Sequence, residues 1–418
     1  METKPKAIVL GGNNPHIALI NNLKNRGYYT ILVDYYENPP AKHYADEHIQ
    51  ESALDSEKVL EIAKKTGAEL VLSCSVDRFI SICSYVSEKL KINFPISHET
   101  SLMLTDKKLM KKIMWDNNIP TGAFIKVSDN FKLQDLNIEL PVVVKPTDGE
   151  GSLGISYVDS YDEIPEKIEE ALSFSKQKEV IIEEYYKGTE VQIDFFIQNK
   201  KPHILLARQK LKKRTMDGKF ITLGSLVPID LNQKLRDKFI EVAEKISSTL
   251  KINNTPLLIQ AIVFEDQIKI IEFTARIGGQ LSYKIIKEQT GIDMIDAFVN
   301  GVLEIKSDLN IIKSEDKLLT YIIHANKGTF NSFENYEKFI EDNIINDFLK
   351  YRTKGMKMDG SLSARSRIGA ISFSGKDIKE LMSKYELVMN HILSNDLEEN
   401  TDLINRSLLI DFNEINVI

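Results

Sequence analysis

The chain has 418 residues, of which 42% are hydrophobic and 28% charged, and its formal net charge at pH 7 is −7. This length is too great for one hydrophobic core and predicts two or three domains. The acidic balance argues against broad binding to nucleic acid or to a membrane surface. No apolar run approaches the ~18–20 residues that cross a bilayer, so we expect neither a nucleic-acid nor a membrane partner.

The few cysteines favour a reducing compartment, and the histidines give no sign of a zinc site. The chain has two cysteines, Cys74 and Cys83, which is too few for a disulfide framework. The histidines show no zinc-type spacing. The charged segment Met1–Lys6 leads directly into a predicted strand, so we expect no secretory signal. These features predict a cytoplasmic protein.

The first hundred residues alternate short apolar runs with amphipathic helices. Strands are predicted at Ala7–Leu10, Ile31–Val33 and Leu70–Leu72, with helices around Ile17–Leu23 and Val59–Ala63. This alternation predicts an α/β domain built on a doubly wound parallel sheet. The turn at 11–14 lacks dinucleotide-binding spacing, but its place before a helix leaves a substrate role open.

The remainder of the chain reads as a mixture of helices and strands. Asp106 is predicted to cap a helix, and the apolar periodicity predicts a later helix over 235–246 and a tail helix over 376–393. The predicted strands are 142–144, 180–182, 191–197, 203–207, 257–264, 268–273, 318–325 and 368–373. No internal repeat or low-complexity linker interrupts them.

A lysine ends one of these apolar strands and precedes a glycine-rich loop. Lys145 follows Val142–Val144, and glycines stand at 149, 151 and 154. Glycines let backbone N–H groups approach phosphate oxygens, and lysine adds a compact positive charge. The segment is not a Walker A loop, so polyphosphate binding and an ordinary turn both stay open on this feature alone.

Two carboxylates and two tyrosines follow the next strand, at Glu183–Tyr186, with Glu190 beyond them. Carboxylates in this position can accept hydrogen bonds from an adenine amino group or from ribose hydroxyls. The alternative is a solvated strand end.

A predicted hairpin carries Gln260 and Glu272, followed by Thr274 and Arg276. Side chains alternate along a strand, and the separation of Gln260 from Glu272 is even, so the two can share one face of a sheet. Oxygen donors there suit Mg²⁺, and Arg276 can bind a carboxylate or a phosphoryl group. The alternative is a surface hairpin, although Glu272 interrupts an otherwise apolar strand.

The order of these features, together with Lys107 at a helix start, resembles the ATP-grasp superfamily. Within it, the chain is similar to the group of biotin carboxylase, phosphoribosylamine–glycine ligase and the carbamoyl phosphate synthetase large subunit. The resemblance covers nearly the whole chain and implies three parts. These are an N-terminal α/β domain at 1–104, an ATP-grasp α+β domain at 105–310 with a small lid subdomain at 120–188, and a C-terminal α+β segment at 311–418.

The resemblance also implies roles for individual residues. The lysines and the loop would bind the phosphates of ATP, the strand end would hold adenine, and Glu190 would lie at the ribose. The implied ATP-binding residues are Lys107, Lys145, Gly149, Gly151, Ser152, Gly154, Glu183, Glu184, Tyr185, Tyr186 and Glu190. The implied metal ligands are Gln260, Glu272 and Thr274, and the implied catalytic residues are Arg276, Lys145 and Arg208.

Two positions depart from the commonest pattern of the family. Gln260 replaces an acidic residue, although the carbamoyl phosphate synthetase-like members also have glutamine. Thr274 replaces an asparagine, which leaves open whether one or two Mg²⁺ ions bind.

The implied activity is that of an ATP-dependent carboxylate–amine ligase, with ATP and Mg²⁺ or Mn²⁺ as cofactors. A small-molecule carboxylate would be activated as an acyl phosphate and joined to an amine as an amide, and similar proteins commonly form homodimers. Two alternatives stay open: a biotin-carboxylase-like enzyme, and an inactive ATP-binding module, which Thr274 favours. Lys357 resembles a biotinylated lysine, but a helix and a polar tail follow it, so we expect no biotinylation.

Arg208 and Lys210 lie on a strand that could face this site, and Lys210 begins a basic run, Lys210–Arg214. It favours a second anionic group on one substrate, whereas the alternative is a solvated basic face. Arg365 and Arg367 are further candidates for the same site.

Overall fold

The N-terminal sheet has four strands, and all of its pairings are parallel. The computed structural model describes residues 4–127, 131, 133–149, 153–279, 281–399 and 401–415. Its first elements are β1 (Lys6–Leu10), α1 (Asn14–Asn25), β2 (Tyr29–Asp34), β3 (Glu47–Gln50), α2 (Ser56–Thr66), β4 (Leu70–Leu72), α3 (Asp77–Leu90) and α4 (His98–Thr105). The strand order is β3-β2-β1-β4, which confirms the predicted α/β class. The apolar patterns predicted β1, β2 and β4 but missed β3, a short strand of half-exposed residues.

A second sheet, which we call the small sheet, follows and is antiparallel throughout. Its elements are α5 (Lys107–Asp116), β5 (Phe124–Val127), β6 (Val142–Pro146), β7 (Ser156–Val158), α6 (Ile164–Phe174) and β8 (Val180–Glu184). As predicted, Asp106 caps α5, because its carboxylate accepts hydrogen bonds from the amides of Lys108 and Leu109. The strand order β5-β8-β6-β7 places β6 and β8 side by side.

The large sheet has eight strands in the order β13-β12-β9-β10-β11-β14-β18-β16. From residue 189 onward the elements are β9 (Thr189–Gln198), β10 (Lys201–Arg214), β11 (Phe220–Val227), α7 (Gln233–Thr249), β12 (Thr255–Phe264), β13 (Gln267–Thr274), α8 (Ser282–Thr290), α9 (Met294–Val302), β14 (Lys317–His324), β15 (Gly328–Glu334), α10 (Glu337–Glu341), β16 (Asp347–Lys350), β17 (Lys357–Met358), β18 (Arg367–Gly375), α11 (Ile378–His391) and β19 (Leu393–Asp396). Three of its strands come after residue 310, so one sheet crosses the predicted division there. That division, like the one at 104, stays a proposal.

The β10–β11 hairpin contacts the small sheet at its tip. The amide of Tyr157 in β7 donates to the carbonyl oxygen of Gly218 at 2.9 Å, and Lys219 forms an ion pair with Glu170 at 3.2 Å. The Arg214 guanidinium lies 4.1 Å from the ring centre of Tyr157. Arg214, the last residue of the basic run, therefore takes part in the contact between the large sheet and the small sheet.

The N-terminal part packs against the large sheet through α1 and α9. Leu19 and Leu23 of α1 share a buried apolar cluster with Phe298 and Val302 of α9. At its edge Arg26 forms an ion pair with Asp296 at 2.5 Å. Within the described residues, no helix combines the length and apolar character that crossing a bilayer requires.

Gly301 of α9 lies against the backbone that leads into β12. A Cβ atom there would come within 1.8 Å of the carbonyl oxygen of Asn254. We expect Gly301→Ala to lower the free energy of unfolding by about 1–3 kcal/mol, because a packed backbone must move. Chemical denaturation measures the change.

Gly279→Ala is the matched control, since a Cβ atom at Gly279 meets nothing within 4 Å. Its effect should stay within about 0.5 kcal/mol. Equal stabilities of the two variants would show that α9 can shift freely and that this packing does not fix it.

Candidate active site

A cavity of about 450 Å³ lies between the large sheet, the small sheet and the N-terminal domain, which is within the usual range of small-molecule sites. Its lining is rich in charged residues from separate parts of the chain. Those predicted from sequence that line it are Lys107, Lys145, Gly149, Arg208, Gln260, Glu272, Thr274 and Arg276. The structure therefore brings the two lysines, the glycine loop and the hairpin to one place.

The two lysines stand at one end of this cavity. Lys107 is the first residue of α5, and its amide donates to the carbonyl of Thr147 at 3.0 Å. Its ammonium group contacts the carbonyl of Gly149. Lys145 is buried near the end of β6 and forms an ion pair with Glu183 at 2.6 Å. The combination of lysines with a backbone loop suits a phosphate chain.

The glycine-rich loop is described only in part. Gly149 lines the cavity, whereas predicted residues Gly151 and Ser152 lie outside the described residues. Gly154 has a φ of 69°, and a Cβ atom there would approach the Phe174 ring carbon at 3.0 Å. This backbone conformation favours glycine. The presence of glycine at position 154 is therefore explained by the backbone and does not require a ligand.

The predicted adenine residues lie on or just after β8, beside β6. Val143 of β6 pairs with Glu183, and Val142 pairs with Glu184. Tyr185 stacks on Phe220 with ring centres 6.3 Å apart, and burial raises the pKa of Tyr186, with Glu183 adding to the effect. Of this group, no side chain is among those lining the cavity, so their adenine and ribose roles stay predictions.

Two of these carboxylates are engaged with lysines. Glu183 forms ion pairs with both Lys145 and Lys111, and Glu190 forms an ion pair with Lys212 at 2.6 Å. Burial would raise the pKa of Glu183, but the two lysines outweigh it and hold that pKa below its ordinary value. Glu183 is therefore a carboxylate at neutral pH.

The β12–β13 hairpin places its predicted metal ligands opposite one another. Gln260 and Glu272 are direct partners in the antiparallel register, as predicted. Across the two-residue turn, direct partners are an odd number of residues apart, so this pairing depends on the β-bulge between Gln260 and Ala261. Both side chains face the cavity. The hydroxyl of Thr274 donates instead to the carboxylate of Asp77.

Asp77 is a residue that the sequence reasoning missed. It begins α3 in the N-terminal domain, yet it holds Arg276 by two hydrogen bonds, from Nε at 2.8 Å and from Nη2 at 2.6 Å. Burial would raise its pKa, but Arg276 and Thr274 outweigh this and the net shift is downward. Its position just beyond the carboxyl end of β4 is where α/β sheets commonly carry functional residues, and that signal would have found it.

A second group of basic residues lines the cavity from β10 and β18 of the large sheet. Arg208 is buried and donates to Asp194 at 2.5 Å and to Ser282 at 3.1 Å. Lys210 and Arg367 also line the cavity, whereas Arg365 is not among the lining residues. Burial lowers the pKa of Lys210 to about 8, although Glu190 acts in the opposite direction. The neighbouring cations Lys212, Arg208 and Arg367 contribute to this lowering of the pKa.

The class of protein follows from this fold and site. Residues 138–284 match the family model of the ATP-grasp domain, a stretch that includes Lys145, Glu183, Gln260, Glu272 and Arg276. The chain therefore carries an ATP-grasp domain, and the resemblance inferred from the order of the motifs is confirmed.

Part of the chain is also similar in sequence to individual ligases. The chain is 33% identical to D-alanine–D-alanine ligase of Clostridium botulinum over 151 residues, which are 34% of this chain and 48% of that protein. The chain spans about half or less of the length of the curated relatives it matches.

Solved structures extend the likeness to nearly the whole chain. The L-amino acid ligase from Bacillus licheniformis matches with a TM-score of 0.76 and 19% identity, covering 94% of this chain and 98% of that one. Phosphoribosylglycinamide synthetase from Anaerococcus prevotii matches with a TM-score of 0.71 and 19% identity, covering 94% and 99%. These matches establish the fold.

The Asp77–Arg276 contact predicts a pH-dependent contribution to stability. Asp77→Asn should lower the free energy of unfolding at pH 7 by about 1–3 kcal/mol, because a partly buried arginine loses its charged partner. The folded pKa of Asp77 is lowered, so this contribution is present above the ordinary carboxyl pKa of about 3.9. It should disappear as the pH falls through the lowered value.

Asp116→Asn is the control, since Asp116 forms an exposed pair with Lys112 at 2.6 Å. Its effect should be no more than about 0.5 kcal/mol. Urea unfolding at several pH values measures both variants, and a difference for Asp77→Asn that does not change with pH would contradict the assignment.

Proposed function

We propose that this chain is an ATP-dependent carboxylate–amine ligase that forms an amide through an acyl phosphate and releases ADP and phosphate. The observation that supports it is one cavity in which Lys107, Lys145, the Gln260–Glu272 pair and Arg276 converge within or beside an ATP-grasp domain. Fixed positive charge and paired oxygen donors are what phosphoryl transfer needs.

The hairpin residues fit a magnesium ion. Within the described part of the chain, no cluster of three or more His, Cys, Asp or Glu side chains could hold a metal. Mg²⁺ does not require one, because it is commonly bound by one or two protein oxygens together with phosphates and waters. Glu272 and Gln260 would hold it, and it would neutralise charge on the phosphates of ATP. Thr274 is already bonded to Asp77, and its role as a ligand stays a proposal.

Other residues of the chain bind and orient the reacting groups. Lys107 and Lys145 bind and orient the phosphate end, and Arg276, held by Asp77, binds the reacting carboxylate. A carboxylate oxygen forms the new bond to the γ-phosphorus while the bond to ADP breaks. The amine then forms the C–N bond, phosphate leaves with the C–O electron pair, and the amine loses a proton. Correct positioning supplies much of the rate in such a sequence.

Amino acids are the first substrates to test. Two of the relatives are named for ligation of amino acids, D-alanine in one and L-amino acids in the other. The basic residues Lys210 and Arg367 line the cavity, which supports the proposal that a substrate is anionic. The homodimer expected from similar proteins stays a prediction.

The decisive experiment measures phosphate release from ATP and Mg²⁺ with pooled amino acids and other carboxylates and amines. Wild-type protein should release phosphate only when a carboxylate and an amine are both present. Glu272→Gln should lower that rate by on the order of 10²–10³-fold, because the charged ligand that would hold Mg²⁺ beside the phosphates is lost.

Glu265→Gln, on the exposed turn of the same hairpin, is the matched control and should act like the wild type. Binding of ATP with no release from any pool would overturn the ligase and favour an inactive ATP-binding module. Release that requires bicarbonate and no other carboxylate would favour a biotin-carboxylase-like enzyme.

The pKa of Lys210 predicts how substrate affinity depends on pH. Its pKa is lowered to about 8, so Lys210 is positively charged at pH 7 and neutral at pH 9. The KM for the carboxylate substrate should therefore rise with pH above about 8 in the wild type. Lys210→Arg keeps the charge through this range and should abolish that rise, and an unchanged pH profile in the variant would contradict the role of Lys210.

A further inference from the structure

Three buried charged groups meet behind the cavity. Lys111 of α5, Glu183 of β8 and Lys145 of β6 are each no more than 5% exposed. One oxygen of Glu183 lies 2.6 Å from the Lys145 ammonium, and the other lies 3.2 Å from the Lys111 ammonium. We call these three residues the buried charge cluster.

Lys145 and Lys111 differ in what they can reach. Lys145 lines the cavity beside Lys107, whereas Lys111 does not line it. The ammonium group of Lys111 also donates to the hydroxyl of Thr121 at 2.7 Å. Lys111 is therefore not among the residues that line the cavity, and its contact with Glu183 links it to Lys145.

The charges of the cluster explain why a second lysine is useful. Lys145 and Glu183 alone form a neutral pair, which attracts a phosphate weakly. Adding the charge of Lys111 gives the cluster one net positive charge, with Lys145 as the member that faces the cavity. In a poorly hydrated site, one such charge changes the affinity for an anion considerably.

We propose that Lys111 is a positioning residue for the nucleotide phosphates: it neutralises Glu183 from behind, so that Lys145 directs its charge into the cavity. The proposal rests on the proposed function, because it assumes that Lys145 binds phosphate.

The environment of Lys111 shows that its charge is kept at a cost. Burial lowers its pKa to about 8, while Glu183 and, more weakly, Glu272 act to raise it and Lys145 lowers it. The ring of Tyr186 lies 5.9 Å from its ammonium group. A buried cation with no task would be replaced at little cost by an apolar side chain of similar volume.

Charge arithmetic provides the test. Lys111→Met leaves the cluster neutral, whereas Lys111→Met combined with Glu183→Gln restores one positive charge on Lys145 with both neighbours uncharged. The Kd for Mg·ATP, measured by calorimetry, should rise about tenfold or more in the single variant. Because the sequence analysis also assigns Glu183 to adenine, the double variant is tested with magnesium tripolyphosphate, which has no adenine: its Kd should rise in Lys111→Met and recover most of that loss in the double variant. Lys111→Arg should stay close to the wild type.

Lys108→Met is the control, because Lys108 lies on the same helix and pairs with Glu179 at 2.7 Å, outside the cluster. It should bind Mg·ATP like the wild type. Steady-state kinetics should show the Lys111→Met defect mainly in the KM for ATP, and thermal unfolding checks that each variant is folded.

The outcomes separate the two proposals. If the wild type binds no Mg·ATP, the proposed function fails and this inference fails with it. If the wild type binds and Lys111→Met binds equally well, only the inference is overturned. A double variant that is folded but binds no better than Lys111→Met would also overturn it, because the loss would then come from packing.

Discussion

The alternation of side chains along the strands of the large sheet is the constraint on which the site depends. On β12, Ile259 and Ala261 enter the apolar core, while Leu258 and Gln260 between and beside them line the cavity. Helix α7 covers the apolar face with Phe239, Val242 and Ile246. The sheet can therefore carry amide and carboxylate groups on one face at little cost, because the other face supplies the burial that stabilises it.

The same geometry explains the electrostatics of the cavity. Four of its cations have a carboxylate partner: Lys145 with Glu183, Arg208 with Asp194, Lys212 with Glu190 and Arg276 with Asp77. Among the described residues, Lys210 and Arg367 have no ion-pair partner, and burial lowers the pKa of each. Half-buried cations without a partner carry a desolvation cost. An anionic ligand would remove that cost, so the cavity is suited to molecules of negative charge.

Much of this arrangement could be predicted from sequence because it is encoded locally. Gln260 and Glu272 were predicted to share a face, and the register confirms it, although their even separation becomes a direct pairing only because of the β-bulge between Gln260 and Ala261. Asp106 signalled the start of α5 by its chemistry alone. Strand β11 was missed, because Phe220–Val227 combines apolar residues with threonine, glycine and serine. The pairing of Ser225 with Thr320 becomes clear only when β14 is placed beside β11.

Contacts between distant segments were beyond such local rules. Lys111 and Glu183 are far apart in sequence, and only the packing of α5 on the small sheet shows that one carboxylate serves two lysines. Likewise, the sequence showed a run of basic residues beside Arg208 but not that Arg208 is buried against Asp194. Pairings of this kind depend on three-dimensional placement, and a charged residue in an isolated sequence is more simply read as solvated.

Asp77 extends the same argument to the whole molecule. Its carboxylate comes from the first residue of a helix in the N-terminal domain and contacts both Thr274 and Arg276 at the end of β13. Charge-assisted hydrogen bonds of this kind are strong and directional, so the orientation of the Arg276 guanidinium depends on where the N-terminal domain lies. The ion pair of Arg26 with Asp296 and the apolar contact of α1 with α9 hold that domain in place. The N-terminal domain is therefore a structural part of the cavity, and a change in its packing would be transmitted to Arg276.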